Sequence, residues 1–257
     1  MRLVFDTSEL ERVRKRLLEL ASADPDVVGA AVIGSHALGH DDRWSDIDLA
    51  IGVRGPLTEA LQRWTLWLQA EFDVMHHWDL PSGPSVYRLF LLPGLIEIDI
   101  GFMPAEVFGP RGPNWRTVFG SPAPLKPTQP PNVDYLIGMA WHDVLAGHKY
   151  LSRGRFWQAE HWISSVRDQV LALACLRLGH PTGYAKGAHL LPASVTEPLQ
   201  AALIRSLDEP ELRRALTAAI AALTDELALS APALAARLTP LLARVATDRA
   251  EQSEGPR

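Results

Sequence analysis

The sequence predicts an α+β protein: a mixed β-sheet with helices packed on it, followed by a C-terminal α-helical bundle. Three observations carry this. β-branched runs alternate with helical periodicity in the first half, prolines crowd the middle, and Ala- and Leu-rich helical spacing fills the second half. At 257 residues the chain has room for one large domain or two small ones, and the change of pattern at the prolines favours two.

Ser8 and Glu11 have the spacing of a capping box, and Leu10, Val13, Leu17 and Leu20 follow at helical spacing, so a first amphipathic helix is expected to end near Ala21. Runs at 27–33, 47–53 and 72–78 read as strands, and 86–92 with 96–102 reads as a hairpin turning at Pro93-Gly94. With a helix over 58–70, these five strands need both parallel and antiparallel pairs. Eight prolines between Pro104 and Pro131 are too many for a regular element and stiffen an extended crossing. Beyond them, helices are expected at 133–151, 156–178, 193–206, 210–229 and 231–247, the second stopped by Gly179-His180-Pro181. The domains expected are therefore 1–120, a proline-rich linker at 121–132, and a helical domain at 133–257.

Composition excludes several function classes. Lys plus Arg number 25 against 30 Asp plus Glu, a net charge of −5, which argues against gripping nucleic acid over the whole surface and leaves open a local basic groove. A single cysteine, Cys175 in an apolar run, rules out a disulfide scaffold or a cysteine zinc site and reads as a buried thiol. No apolar stretch reaches the ~18 residues of a membrane span. The N-terminus carries Asp6, Glu9 and Glu11 in place of a signal-peptide core, so a soluble, cytoplasmic chain without a membrane partner is expected. Disorder is expected only at the polar end, 248–257.

The chemistry-bearing segment is Gly34-Ser35-His36-Ala37-Leu38-Gly39, then Ser45-Asp46-Ile47-Asp48-Leu49 at the start of a strand. A strand ending in Gly-Ser exposes backbone N–H groups and lets a phosphate approach closely. Asp46 and Asp48, two apart on a strand, leave the same face and repel. A hard divalent cation relieves that repulsion, and Mg²⁺ characteristically takes one or two carboxylates and completes its shell with phosphate and water. The bland alternative is a turn cap at Asp46 and a solvated strand residue at Asp48. In 95–102, isoleucines alternate with Glu97 and Asp99, so these acids share one face of a strand that is otherwise an amphipathic surface element.

Gly34-Ser35, Asp46-x-Asp48 beginning eleven residues after Ser35, and a later strand bearing Asp99 resemble the nucleotidyltransferase superfamily built on the DNA polymerase β palm, especially its antibiotic-modifying branch. The resemblance implies that Gly34, Ser35 and Ser45 touch the nucleotide and that Asp46, Asp48 and Asp99 hold two Mg²⁺ ions, with Glu97 in reserve for Asp99. It also implies transfer of a nucleoside monophosphate, AMP from ATP first among them, to a hydroxyl of a small molecule such as an aminoglycoside, with release of pyrophosphate. More loosely, 149–160 resembles the helix-turn-helix of aminoglycoside nucleotidyltransferases, which implies that Lys149 touches the triphosphate and makes Glu160 a candidate general base. Glu160 and Arg167 lie seven apart on one helix with Trp157 and Ser164 near the stripe, which an exposed salt-bridged face explains equally well.

His36 stands in the Gly-Ser turn where the family this sequence resembles often carries arginine or another polar residue, and it reads as a phosphate partner or a loop cap. His76 and Trp78 share a strand face and read as packing or rim residues rather than metal ligands. Trp115, Trp141 and Trp162 read as core aromatics or the floor of an acceptor pocket. Two further readings stay open: a protein- or RNA-modifying nucleotidyltransferase, and an antitoxin-like palm fused to a HEPN-type ribonuclease bundle. The latter rests on Arg155 and His161, whose side chains lie well apart around one helix and converge only across a kink or a homodimer. A catalytically dead binding protein is the last alternative, disfavoured by the presence of Gly34, Ser35, Asp46, Asp48 and Asp99 together.

Overall fold

The computed structural model describes residues 7–39, 42, 44–126 and 129–248. The chain divides into two compact units, 1–128 and 129–257. The first is built from α1 (Thr7–Ala23), β1 (Val27–Ile33), β2 (Ile47–Val53), α2 (Leu57–Phe72), β3 (His76–Ser82), β4 (Ser85–Leu92), β5 (Ile96–Pro104) and β6 (Trp115–Phe119). The strands form one sheet in the order β3-β4-β5-β2-β1-β6, with β2 and β5 parallel and every other pair antiparallel.

This sheet has two unlike faces, because side chains alternate along each strand. One turns Ile47, Leu49 and Ile51 of β2 and Ile98, Ile100 and Phe102 of β5 onto α1 and α2, which answer with Val13, Leu17, Trp64 and Leu68. Each such side chain, fully buried, contributes roughly 1.5–3 kcal/mol. The other face carries small residues in its centre. A Cβ at Gly29 would fall 2.5 Å from the Phe108 ring, one at Gly52 2.7 Å from it, and Phe108 fills this hollow with Ala31, Ala50 and Met103.

The first unit departs from the sequence reading at four places. The helix expected to stop at Ala70 runs to Phe72, because Phe72 continues the stripe of Leu61, Trp64 and Leu68, and Asp73 ends it in a left-handed conformation (φ 54°). The expected strand at 72–78 accordingly starts four residues later, at His76. A sixth strand, β6, lies inside the proline-rich stretch; Pro113 and Pro122 flank it rather than fall within it, and it pairs antiparallel with β1, with a register shift between Ala30 and Ala31. Ser8 sits within α1, which runs from Thr7, rather than before it.

The second unit comprises α3 (Val133–Ser152), α4 (Phe156–Leu178), α5 (Ala193–Gln200), α6 (Glu209–Ser230) and α7 (Pro232–Thr247). Its core joins Ile137 and Val144 of α3, Ile163, Val166 and Val170 of α4 and Leu212, Ala219 and Leu223 of α6. Asn132 caps α3 by accepting from the Asp134 N–H at 2.7 Å, and Gly179 closes α4 at φ 74°. Buried Glu226 of α6 accepts two 2.8 Å hydrogen bonds from Arg177 of α4. Helix α5 ends at Gln200 instead of continuing to Ser206, because the carbonyls of Ala201 and Leu203 accept from Arg214 rather than from further helical N–H groups. Cys175 is buried as expected. Among the described residues, no helix is long and apolar enough to cross a membrane.

The turn between α1 and β1 depends on Asp24. It is 3% exposed and accepts from Arg63 at 3.0 Å, from the Trp64 indole N–H at 3.0 Å and from the Asp26 N–H at 3.0 Å. Asp24→Ala leaves a buried indole without its acceptor and a half-buried guanidinium with only Asp26, 3.2 Å away, and is expected to lower stability by roughly 3 kcal/mol. Urea denaturation followed by tryptophan fluorescence measures it.

Candidate acid-cluster site

The site forms where β1 ends and β2 begins on the small-residue face. After Ile33 the chain turns at Gly34 with φ 68°, a left-handed conformation that glycine adopts without strain. The turn also brings Gly34 against β2: a Cβ there would overlap Asp48 Oδ2 and fall 2.9 Å from Asp48 Cγ. Only glycine allows this approach. A short 3-10 turn, His36–Leu38, follows and closes at Gly39, also left-handed at φ 70°.

Side chains tie this turn to the loop ahead of β2. Ser35 Oγ donates to Ser45 Oγ at 3.2 Å, and Ser45 Oγ accepts from the Asp42 N–H at 3.0 Å. Asp42 Oδ1 accepts from the Trp44 N–H at 2.8 Å, so the loop is internally bonded immediately before Asp46.

The acids are aligned by strand register. β2 and β5 run parallel with Asp48 directly opposite Asp99, which places their Cα atoms about 5 Å apart. Glu97 stands one step outward on the same face of β5, opposite Leu91 of β4, and is exposed. Asp46, immediately before β2, lies at the same end. Asp99 is half-buried, and its Oδ1 is enclosed without a hydrogen-bond partner. Burial first, then the charges of Asp48, Glu97 and Asp46, push its carboxyl up to about 7. Burial raises Asp46, and burial together with Asp46 raises Glu97.

An enclosed acceptor without a donor, inside a group of acids that resist ionisation, is an environment that a cation stabilises. Among the described residues, no three of His, Cys, Asp and Glu converge closely enough to hold an ion by themselves. Two facing carboxylates with substrate phosphate as the remaining ligand suit Mg²⁺, which keeps few protein ligands. The residues present therefore fit a divalent cation that arrives with its substrate.

The structure thus gathers Gly34, Ser35, Ser45, Asp46, Asp48 and Asp99 at one end of one face. Lys149 and Glu160 belong to the second unit: Lys149 is exposed in the last turn of α3, and Glu160 of α4 accepts from Ser164 Oγ at 2.8 Å. Arg155 precedes α4, and His161 is exposed on it. Trp115 lies in a strand, 5.2 Å from the Phe108 ring, and Trp141 is exposed rather than core. His77 packs 5.8 Å from Phe90, and burial lowers its imidazole pKa.

Sequence reasoning missed Tyr87 of β4 and Arg111. Tyr87 lies opposite Gly101, on the face that carries Asp99, and its ring rests on that glycine: a Cβ at Gly101 would fall 2.9 Å from Tyr87 Cε1. Burial raises its phenol, Arg111 opposes this, and Asp99 and Asp48 add to it. Arg111 donates to Ser82 Oγ and Ser85 Oγ, each at 3.1 Å. The hairpin reading of 86–92 with 96–102 contained the signal, since setting Leu92 opposite Ile96 across 93–95 places Tyr87 opposite Gly101.

No protein-family model matches the chain. No curated protein matches it in sequence either. Among solved structures, it is similar to an aminoglycoside 6-adenyltransferase from Bacillus subtilis, at 13% identity over 90% of this chain and 96% of that one, with a TM-score of 0.39. It is also similar to the CdnC:HORMA-deltaN complex of E. coli MS115-1, at 16% identity over 93% of this chain and 89% of that one, with a TM-score of 0.28. Gly34, Asp48 and Asp99, and not these distant likenesses, carry the chemistry of the site.

Proposed function

We propose that the chain is a metal-dependent nucleotidyltransferase that moves a nucleoside monophosphate, AMP from ATP first among candidates, to a hydroxyl of a small molecule. The observation that carries this reading is the register of Asp48 with Asp99 beneath the close approach of Gly34. Facing acids and an adjacent glycine turn are what a triphosphate with its counter-ion requires, since phosphoryl chemistry depends chiefly on positioning and charge neutralisation.

In this reading the Gly34-Ser35 backbone and the hydroxyls of Ser35 and Ser45 receive the β- and γ-phosphates. Asp46, Asp48 and Asp99 hold divalent cation, which supplies neutralisation of phosphate charge and acidification of the attacking hydroxyl. Asp99 stands on the side from which the acceptor arrives and is the residue whose carboxyl takes up or gives up a proton near neutral pH. Lys149 is the candidate for following the leaving pyrophosphate, because a flexible ammonium tracks moving charge. Glu160 is the candidate base of the helical unit. The acceptor hydroxyl attacks the α-phosphorus, the bond to the β-phosphate bridging oxygen breaks, and pyrophosphate departs.

Incubation with Mg²⁺, α-labelled NTPs and a panel of hydroxylated antibiotics tests the reading directly. Label transfer is expected for wild type, with Asp46→Asn and Asp48→Asn each losing at least about a hundredfold while staying folded. Near-native turnover in either variant would overturn it. Gly34→Ala is expected to raise the KM for NTP by roughly tenfold or more, because its Cβ displaces the Asp48 carboxylate.

Asp99 also makes a pH prediction. With its folded pKa raised to about 7 from the ordinary 3.8, metal-free folded protein keeps a proton that the unfolded chain has already lost. Its contribution to stability is present at low pH and disappears as pH rises through that interval. In chelator, the melting temperature of wild type should fall relative to Asp99→Asn between about pH 4 and about pH 8. Added Mn²⁺ should restore it more at about pH 8 than at about pH 5, because the ion competes with the proton.

A further inference from the structure

The acid row continues sideways into an apolar surface. Across four strands, Asp48 of β2 is opposite Asp99 of β5, Asp99 is opposite Leu89 of β4, and Leu89 is opposite Trp78 of β3. All four side chains leave the same face, and Trp78 stands two strands, about 10 Å, from Asp99. In the neighbouring row Tyr87, lying on Gly101, is followed by Leu80. Trp78 is 51% exposed and Leu80 48%.

These are not side chains of the unit's helix-covered core. The opposite face of the same strands is the one tied to α2: Arg88 pairs with Asp79 at 2.6 Å and donates to Thr65 Oγ1 at 2.7 Å and to the Leu61 carbonyl at 2.9 Å. Of the residues that β3 and β4 turn to the acid face, none is acidic. The charged group bonded at that end is the Arg111 guanidinium, held by Ser82 and Ser85. Moving outward from Asp99, the surface therefore changes from anionic to aromatic and aliphatic, with a cation at its far corner. A polycation would find no acidic side chain among those that β3 and β4 turn to this face.

We propose that Leu89, Trp78, Tyr87 and Leu80 form the floor under the acceptor, and that the acceptor is a hydroxyl compound carrying an aromatic or aliphatic ring rather than a uniformly cationic one. This rests on the nucleotidyl-transfer reading, in which the attacking hydroxyl lies at Asp99; its ring then falls on Leu89 and Trp78. The exposed Trp78 face offers stacking, the Tyr87 phenol stays a neutral hydrogen-bond donor beside the hydroxyl, and Leu80 closes the apolar surface.

A matched pair of probes separates ring from hydroxyls: a phenyl glycoside and the corresponding methyl glycoside, with binding to the full chain measured by saturation-transfer NMR with and without MgATP. The phenyl compound is expected to bind roughly tenfold tighter, an advantage lost in Trp78→Ala, kept in Trp78→Phe, and without change in MgATP affinity in either variant. Equal binding of the two glycosides, or a phenyl advantage untouched by Trp78→Ala, would overturn the proposal. So would sedimentation showing that Trp78→Ala converts a dimer to monomers, which would give the face to a second copy of the chain. If the phenyl advantage holds while no labelled nucleotide reaches any hydroxyl, the floor stands and the transfer reading falls.

Discussion

Two carboxylates placed side by side on adjacent parallel strands are the constraint around which the first unit is organised. Asp48 and Asp99 repel, and partial burial denies them the water that would screen it. The fold tolerates them because they stand at the end of a sheet face that is otherwise small and apolar, while the opposite face holds the isoleucine, leucine and aromatic core. Stability is thus supplied on one side of the sheet and given up on the other. A site that is electrostatically unfavourable when empty favours ionic ligands that carry the missing charge.

Much of the fold was legible because its signals are local. The β-branched runs at β1 and β2 and the Gly179 stop of α4 define those elements with little help from tertiary contacts. The errors fell where a local signal met a longer-range one. The run Phe72-Asp73-Val74 looks extended, but Phe72 completes a helical stripe that the sheet needs for its core. β6 is masked in the sequence by the prolines around it, and prolines that flank a strand do not break it. The early end of α5 depends on Arg214, more than ten residues downstream, and nothing in the local pattern announces it.

The site divides in the same way. Gly34, Ser35, Asp46 and Asp48 lie close in sequence, and their spacing alone points to a phosphate turn beside paired acids. The resemblance implies Asp99 with Glu97 in reserve, and register explains the difference: it is Asp99 that faces Asp48. Tyr87, Leu89 and Trp78 carry no motif of their own. They acquire meaning only from the β4–β5 and β3–β4 pairings, which set them in rows beside the acids. In the helical unit, Glu160 accepts from Ser164 of the same helical stripe, whereas the fully buried Asp143, bonded to Ser165 across the α3–α4 contact at 2.6 Å, had no local signature.

Phe108 shows how far from the acids the geometry of the site is set. Its ring lies over Gly29 of β1 and Gly52 of β2, which are partners in the β1–β2 ladder. Sliding one strand past the other by a single residue would bring a side chain under the ring, so the ring acts as a key that admits one alignment of the two strands. The same alignment decides which residue at the end of β1 meets the carboxylate of β2. An aromatic ring with no part in the chemistry thereby selects glycine, rather than either of its neighbours, as the residue that faces Asp48.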